Sequence, residues 1–194
     1  MSYGSKTDSE GKALRADGNL PVLTGEKVVG NKIVSLGMRT DSNGDLMDNQ
    51  AELIFNQANG ATFKVVFFDS DEKWAIDQTN ATLLHICTKI VSEADYYAAI
   101  GNPSGFQEFI TNISTKIIPQ AAGKTFTMKV ILKHNKKSDA YFPNLPKFPN
   151  FIELDGTTPS TINKTNPKYD IYAIPAATSM AAEGAAATPV EDVF

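Results

Sequence analysis

Cysteine and histidine are nearly missing: 194 residues contain one Cys, Cys87, and two His, His85 and His134. A single thiol excludes an internal disulfide framework and a multi-cysteine zinc site. Two imidazoles leave few candidates for a nucleophile–base pair. His85 and Cys87 both fall in an apolar stretch of helical period, where they read as a half-buried imidazole and a small core thiol. G-x-S-x-G, H-E-x-x-H and Rossmann glycine patterns do not occur. "AAGKT" at Ala121–Thr125 resembles the end of a phosphate-binding loop, but the required first glycine is Ile118 and a strand follows. The expectation is a protein that is not an enzyme and uses no cofactor.

Long hydrophobic runs are lacking too. No apolar segment follows "MSYGSKTDSEGK", so no secretory signal is expected, and no stretch reaches the length of a membrane span. The expected location is the cytoplasm, which makes the sequons at Asn80, Asn112 and Asn163 chance matches. A calcium loop fails on residue identity, not on spacing. Asp41, Asn43, Asp45 and Glu52 fit, but the position that needs glycine is Leu46, so this stretch reads as a solvated turn without metal.

Positive charge is in deficit overall, with a net charge of -4, which argues against a uniformly basic nucleic-acid binder. Its distribution is uneven. Lys116, Lys124, Lys129, Lys133, Lys136, Lys137 and Lys147 face a single acid, Asp139, between residues 116 and 150. Tyr141, Phe142, Phe148 and Phe151 interleave with them. Cations along phosphates and flat rings under unstacked bases are what single-stranded nucleic acid requires. Trp74, among acids, reads as a packing anchor instead.

Periodicity orders the chain. Residues 1–20 are polar and turn-rich, a flexible arm; 176–194 are Ala/Thr/Ser-rich, a disordered linker ending in an acidic tip; 21–175 form the folded body. Three strands are expected before residue 70: "EKVVGNKIVSLGMR", then a hairpin of "AELIFNQ" and "ATFKVVFFD" around Asn59-Gly60. Two helices follow. Leu83, Cys87, Ile90 and Ala94 mark the first, and Phe106, Phe109, Ile110, Ile113 and Ile117 the second, with Ser104 and Gln107 as a capping box and Pro119 as its end. "KTFTMKVILKH" then alternates, placing Phe126, Met128, Val130 and Leu132 on one face and Thr127, Lys129 and Lys133 on the other. Short strands are expected at 150–154 and in "YDIYAI".

This mainly β order with a helical insert predicts an OB-fold-like five-stranded Greek-key barrel with two helices between strands three and four. Lys64 and Phe68 share the outer face of the third strand, and with Lys129 and Lys133 they are expected to give two strands a basic, partly aromatic surface. The candidate nucleic-acid contacts are Lys64, Phe68, Lys129, Lys133, Lys136, Lys137, Tyr141, Phe142, Lys147 and Phe148.

A β-barrel body, a basic-aromatic face, a low-complexity linker and the end "EDVF" together resemble single-stranded DNA-binding proteins, bacteriophage replication proteins in particular. The resemblance implies a DNA-coating role in replication or recombination, in the host cytoplasm. It also implies that Glu191, Asp192, Val193 and Phe194 dock on a polymerase, primase or helicase, a capture mode that uses a buried ring and a carboxylate. The other open reading is a phage structural or assembly protein whose β-rich body makes protein contacts only.

Overall fold

The computed structural model describes residues 20–136 and 138–174; residues 1–19 of the expected arm, the 176–194 tail and Lys137 lie outside the described residues. Six antiparallel strands form an open sheet, with three helices between the third and fourth strands. The strands are β1 (Gly25–Thr40), β2 (Leu46–Asn56), β3 (Thr62–Phe68), β4 (Phe126–Asn135), β5 (Ala140–Asn144) and β6 (Ile152–Leu154). Their order is β3-β2-β1-β4-β5, with β6 also paired to β4. The strands at the two ends of that path, β3 and β5, approach one another.

β1 holds the sheet together because it is long and bent. Its first half pairs with β4, Val28 opposite Met128, and its second half with β2, Leu36 opposite Leu53. The change of partner falls between Asn31 and Lys32, beside Gly30, whose φ of 74° is left-handed and whose missing Cβ would lie 2.9 Å from the Ala58 Cβ. Next to it, buried Asn31 donates through Nδ2 to the Val28 and Phe126 carbonyls, tying the bend across to β4. The β2–β3 hairpin turns at Asn59-Gly60 as expected: the Gln57 N–H reaches the Ala61 carbonyl at 2.9 Å, and Gly60 takes φ 85°.

Alternation along β2 and β3 buries Leu53, Phe55, Phe63 and Val65 on one face. Phe55 and Phe63 are cross-strand partners with stacked rings 5.8 Å apart. Helix α3 (Phe106–Lys116) presses Phe109, Ile110 and Ile113 into the same core, as its stripe predicts, and Ile117 follows them at its end. Each such side chain contributes about 1.5–3 kcal/mol by leaving water.

Several local expectations change. The helical insert has three helices rather than two. α1 (Lys73–Cys87) starts earlier than its apolar stripe suggests and stops at Thr88. α2 (Glu93–Ile100) restarts at Ser92, whose hydroxyl accepts from the Asp95 N–H, so Ala94 leaves the expected stripe and is exposed. Ser104 pairs with Glu108 rather than Gln107: the Ser104 N–H and hydroxyl both donate to Glu108 Oε2, at 2.8 and 2.6 Å. "YDIYAI" forms no strand, while β5, with Pro143 inside it, pairs only with β4 in the sheet order, a position where a missing N–H is tolerated.

Candidate nucleic-acid interface

The part of β4 around Thr127 and Lys129, on the face that alternation assigns to solvent, is covered by the chain itself. Residues 155–172 form a strap across it. Lys129 is 2% exposed, and its Nζ donates to Asp170 Oδ2 at 2.8 Å and to the Lys164 carbonyl at 3.1 Å. Asp170 also accepts from the Asn166 N–H, so its charge is satisfied from two sides. The Leu132 N–H donates to the Ile171 carbonyl, and Thr24 Oγ1 to the Tyr172 carbonyl. At the strap's start, Glu153 is buried. Desolvation would push its carboxyl up, but hydrogen bonds from Ser160 and Thr161 outweigh it and hold the group below the usual carboxylate range. Glu26 is likewise held low, first by the Thr165 hydroxyl and then by its N–H. The expectation that Lys129 contacts DNA is therefore corrected: its charge is consumed inside the fold.

Lys64 and Phe68 also leave the expected surface. β3 and β4 are separated in the sheet by β2 and β1, so their outer faces are not adjacent. Lys64 lies 3.4 Å from Glu52, which Arg39 approaches at 3.8 Å, so the Lys64 ammonium is paired with a carboxylate on its own sheet. Phe68 is exposed but faces a groove beside the helices.

What the structure does bring together is a hairpin and two loops. On the β4–β5 hairpin, Lys133 and Phe142 are cross-strand partners; Lys133 is exposed and Phe142 is 48% exposed. Lys136 is exposed near the tip. Tyr141 is half-buried, its ring centroid 4.8 Å from that of His134, which pairs with Asp139 at 2.9 Å. Lys147 and Phe148 follow directly, both exposed. Phe148, 55% exposed, meets the ring of Tyr169, 50% exposed, edge to face at 6.1 Å. Lys168 Nζ stands 5.3 Å from the Tyr169 centroid. Tyr169 sits two residues before Ile171, whose carbonyl is bound one residue from Lys133. Phe151, by contrast, is buried.

The 147–151 loop is fixed to one side of α1. Gln78 Nε2 donates to the Lys147 carbonyl at 3.0 Å, and the Asn150 N–H donates to His85 Nε2 at 2.9 Å. Burial, and then the neighbouring Lys89, push the His85 pKa down to about 4, so the imidazole is a neutral acceptor at pH 7. Trp74 lies one turn from Gln78 on the same helix face and is 68% exposed. The packing-anchor expectation for Trp74 is thus corrected as well. Burial raises the Cys87 thiol to about 12, so it is protonated and packs as a core residue.

Sequence reasoning missed Lys168, Tyr169 and the exposure of Trp74. "PKYD" carries the same Lys-aromatic signal as "PKFP", but it stands outside the lysine-rich window. The Asp41 turn is a self-satisfied one: Asp41 Oδ1 accepts from the Asn43 and Asp45 N–H groups, and backbone hydrogen bonds hold its carboxyl low. No group of three His, Cys, Asp or Glu side chains suited to a metal occurs among the described residues. No helix among the described residues is long and apolar enough to cross a membrane. Glu191, Asp192, Val193 and Phe194 lie outside the described residues. Comparison with protein-family models, with curated proteins and with solved structures gives no match.

Proposed function

We propose that this protein binds single-stranded DNA without catalysis, through a basic-aromatic surface made of the β4–β5 hairpin, the 147–148 loop and the 168–169 end of the strap. The observation that carries the reading is the Phe148–Tyr169 pair, two half-exposed rings in contact with Lys168 beside them and Lys147 adjacent. Rings left half in water forgo part of their burial energy, and a platform for unstacked bases is a use that needs them there. Lys133 and Phe142 extend the same chemistry along the hairpin.

The fold supports this reading. Three helices between β3 and β4 and the order β3-β2-β1-β4-β5 would become a five-stranded Greek-key barrel of the OB type if β5 joined β3. In the same reading the protein coats DNA during phage replication or recombination, and Glu191–Phe194 contact a replication partner such as a polymerase, primase or helicase.

The test is fluorescence anisotropy with a labelled oligo-dT and a duplex of equal length at two salt concentrations. Salt-sensitive binding that prefers the single strand is expected. Absence of binding at low salt would overturn the proposal and leave a protein-contact role for the β-rich body.

A further inference from the structure

The geometry points to a second binding surface, a groove for a basic amphipathic segment of a partner protein, formed between the helical insert and the end of β3. It stands independently of the DNA reading.

The groove holds about 530 Å³ and is walled by Phe68 from β3, Ile76 and Leu84 from α1, Tyr97 and Ile100 from α2, and Phe106 from α3. Four elements thus contribute apolar side chains to one concavity, and Phe68, Ile76 and Tyr97 remain exposed. Singly exposed apolar residues are ordinary; a convergent set in a concave site marks a place where something docks. Ile76, Asn80 and Leu84 line the groove at four-residue spacing. Gln78 and His85 hold the 147–151 loop from another face of the same helix. One helix therefore serves two surfaces.

Charge selects the occupant. Asp69 is the charged residue on the groove wall, and the adjoining concavity, which shares Asp69, Gly105 and Phe106, adds Asp48 and Glu108 without any cation. Residues 69–108 carry seven acids against two lysines, Lys73 and Lys89. Such a field repels DNA phosphates. It also repels this chain's own Glu191-Asp192-Val193-Phe194, which would bring like charge to the site. A segment with Leu, Ile or Phe anchors at helical spacing and Lys or Arg at its flanks satisfies both the apolar walls and the acidic surroundings. Because the basic residues lie on the hairpin and its following loop and the acids on the helical insert, DNA and such a partner occupy different surfaces.

The experiment uses the full chain and a fluorescein-labelled amphipathic peptide of about 14 residues, Leu and Lys in helical period. Its controls are the same peptide with Glu for Lys and a peptide of residues 187–194. Ile76→Glu and Tyr97→Glu alter exposed groove side chains, with circular dichroism and oligo-dT binding as checks on the fold. The Leu/Lys peptide should bind, and each variant should weaken it about tenfold or more. Asp69→Lys should weaken it too, and oligo-dT affinity should stay the same throughout. The inference is overturned if the Leu/Lys peptide does not bind, if the Leu/Glu or 187–194 peptide binds as tightly, or if the variants leave its affinity unchanged. Sedimentation showing a self-associated parent and monomeric variants would overturn it in favour of a second copy in the groove.

Discussion

Lys129 Nζ and Asp170 Oδ2 lie 2.8 Å apart with both side chains almost wholly shielded from water. One belongs to the strand that backs the core and the other to the strap, so the pair joins two segments 41 residues apart in sequence. Attraction at that distance in a dry setting is offset by the desolvation of both ions, so the pair fixes where the strap lies more than it adds net stability. Asn166 and Lys164 supply the remaining hydrogen bonds.

Removing one partner should therefore be far worse than removing both. Lys129→Ala leaves Asp170 buried without its counter-ion and should cost about 3–5 kcal/mol. Lys129→Met combined with Asp170→Leu should recover most of that loss. Urea unfolding at pH 7 measures both. The double variant should also bind oligo-dT as the parent does, because Lys129 does not reach the surface. Weakened DNA binding in a stable double variant would return Lys129 to the interface.

The same residue shows where sequence reading stops. Alternation along β4 was legible and correctly separated Met128 and Val130 from Lys129, but it cannot say what covers the second face. The strap, "TTPSTINKTNPKYD", has no apolar period. It is held by side-chain hydrogen bonds to Glu26, Glu153 and Asp170, which leave no pattern in a sequence. Features carried by local chemistry were readable: the Asn59-Gly60 turn, the stripe Phe109-Ile110-Ile113, and the exposed lysines and rings of the hairpin. Those set by distant contacts were not. Trp74 reads as a packing anchor from the acids beside it, but neighbours in sequence do not show whether anything covers the ring, and Tyr169 meets Phe148 only through the path of the strap.

Phe148→Ala and Tyr169→Ala should each weaken oligo-dT binding by about 1–3 kcal/mol, the range found for base–aromatic stacking. Since the rings touch, the double variant should lose less than the two losses combined. Anisotropy titrations of the four proteins form the cycle. Parent-like affinity in both single variants would remove these rings from the interface.

On the hairpin, Lys133→Ala should reduce affinity and lower the salt slope by about 0.7, one phosphate's share on a single strand. Phe142→Ala should reduce affinity while leaving the slope alone, since a ring releases no counter-ion. A log–log plot of affinity against salt separates the two. Equal slopes for parent and Lys133→Ala would show that this lysine meets no phosphate.

His85 sets an acid limit on stability. Its folded pKa of about 4 lies below the ordinary value of 6.5, so the unfolded chain takes up the proton first. The contribution is fully present above about pH 6.5 and is lost as pH falls towards 4, at most on the order of 3 kcal/mol. His85→Gln retains an acceptor for the Asn150 N–H but cannot protonate. Thermal unfolding from pH 7 to 5, above the carboxylate range, should fall more steeply for the parent than for the variant. Parallel curves would assign the acid sensitivity elsewhere.

Gly30 is the position where the sheet is most exposed to a single methyl group. At φ 74° an alanine pays the left-handed penalty of roughly 1–2 kcal/mol. Its Cβ would also sit 2.9 Å from that of Ala58, a side chain with no rotamer by which to withdraw. The bend cannot relax freely, because the Gly30 N–H is held by Asp155 Oδ2 at 3.1 Å and Asn31 is tied to both β1 and β4. Gly30→Ala should therefore lower stability by more than about 2 kcal/mol. Gly37 is the control on the same strand: its φ is not left-handed, and a Cβ there meets nothing within 4 Å. Gly37→Ala should leave the urea midpoint unchanged or slightly raised, because alanine restricts the unfolded chain. If the two variants unfold alike, the bend in β1 does not depend on glycine, and the exchange of partners between β2 and β4 must be fixed by Asn31 and the register of Val28 alone.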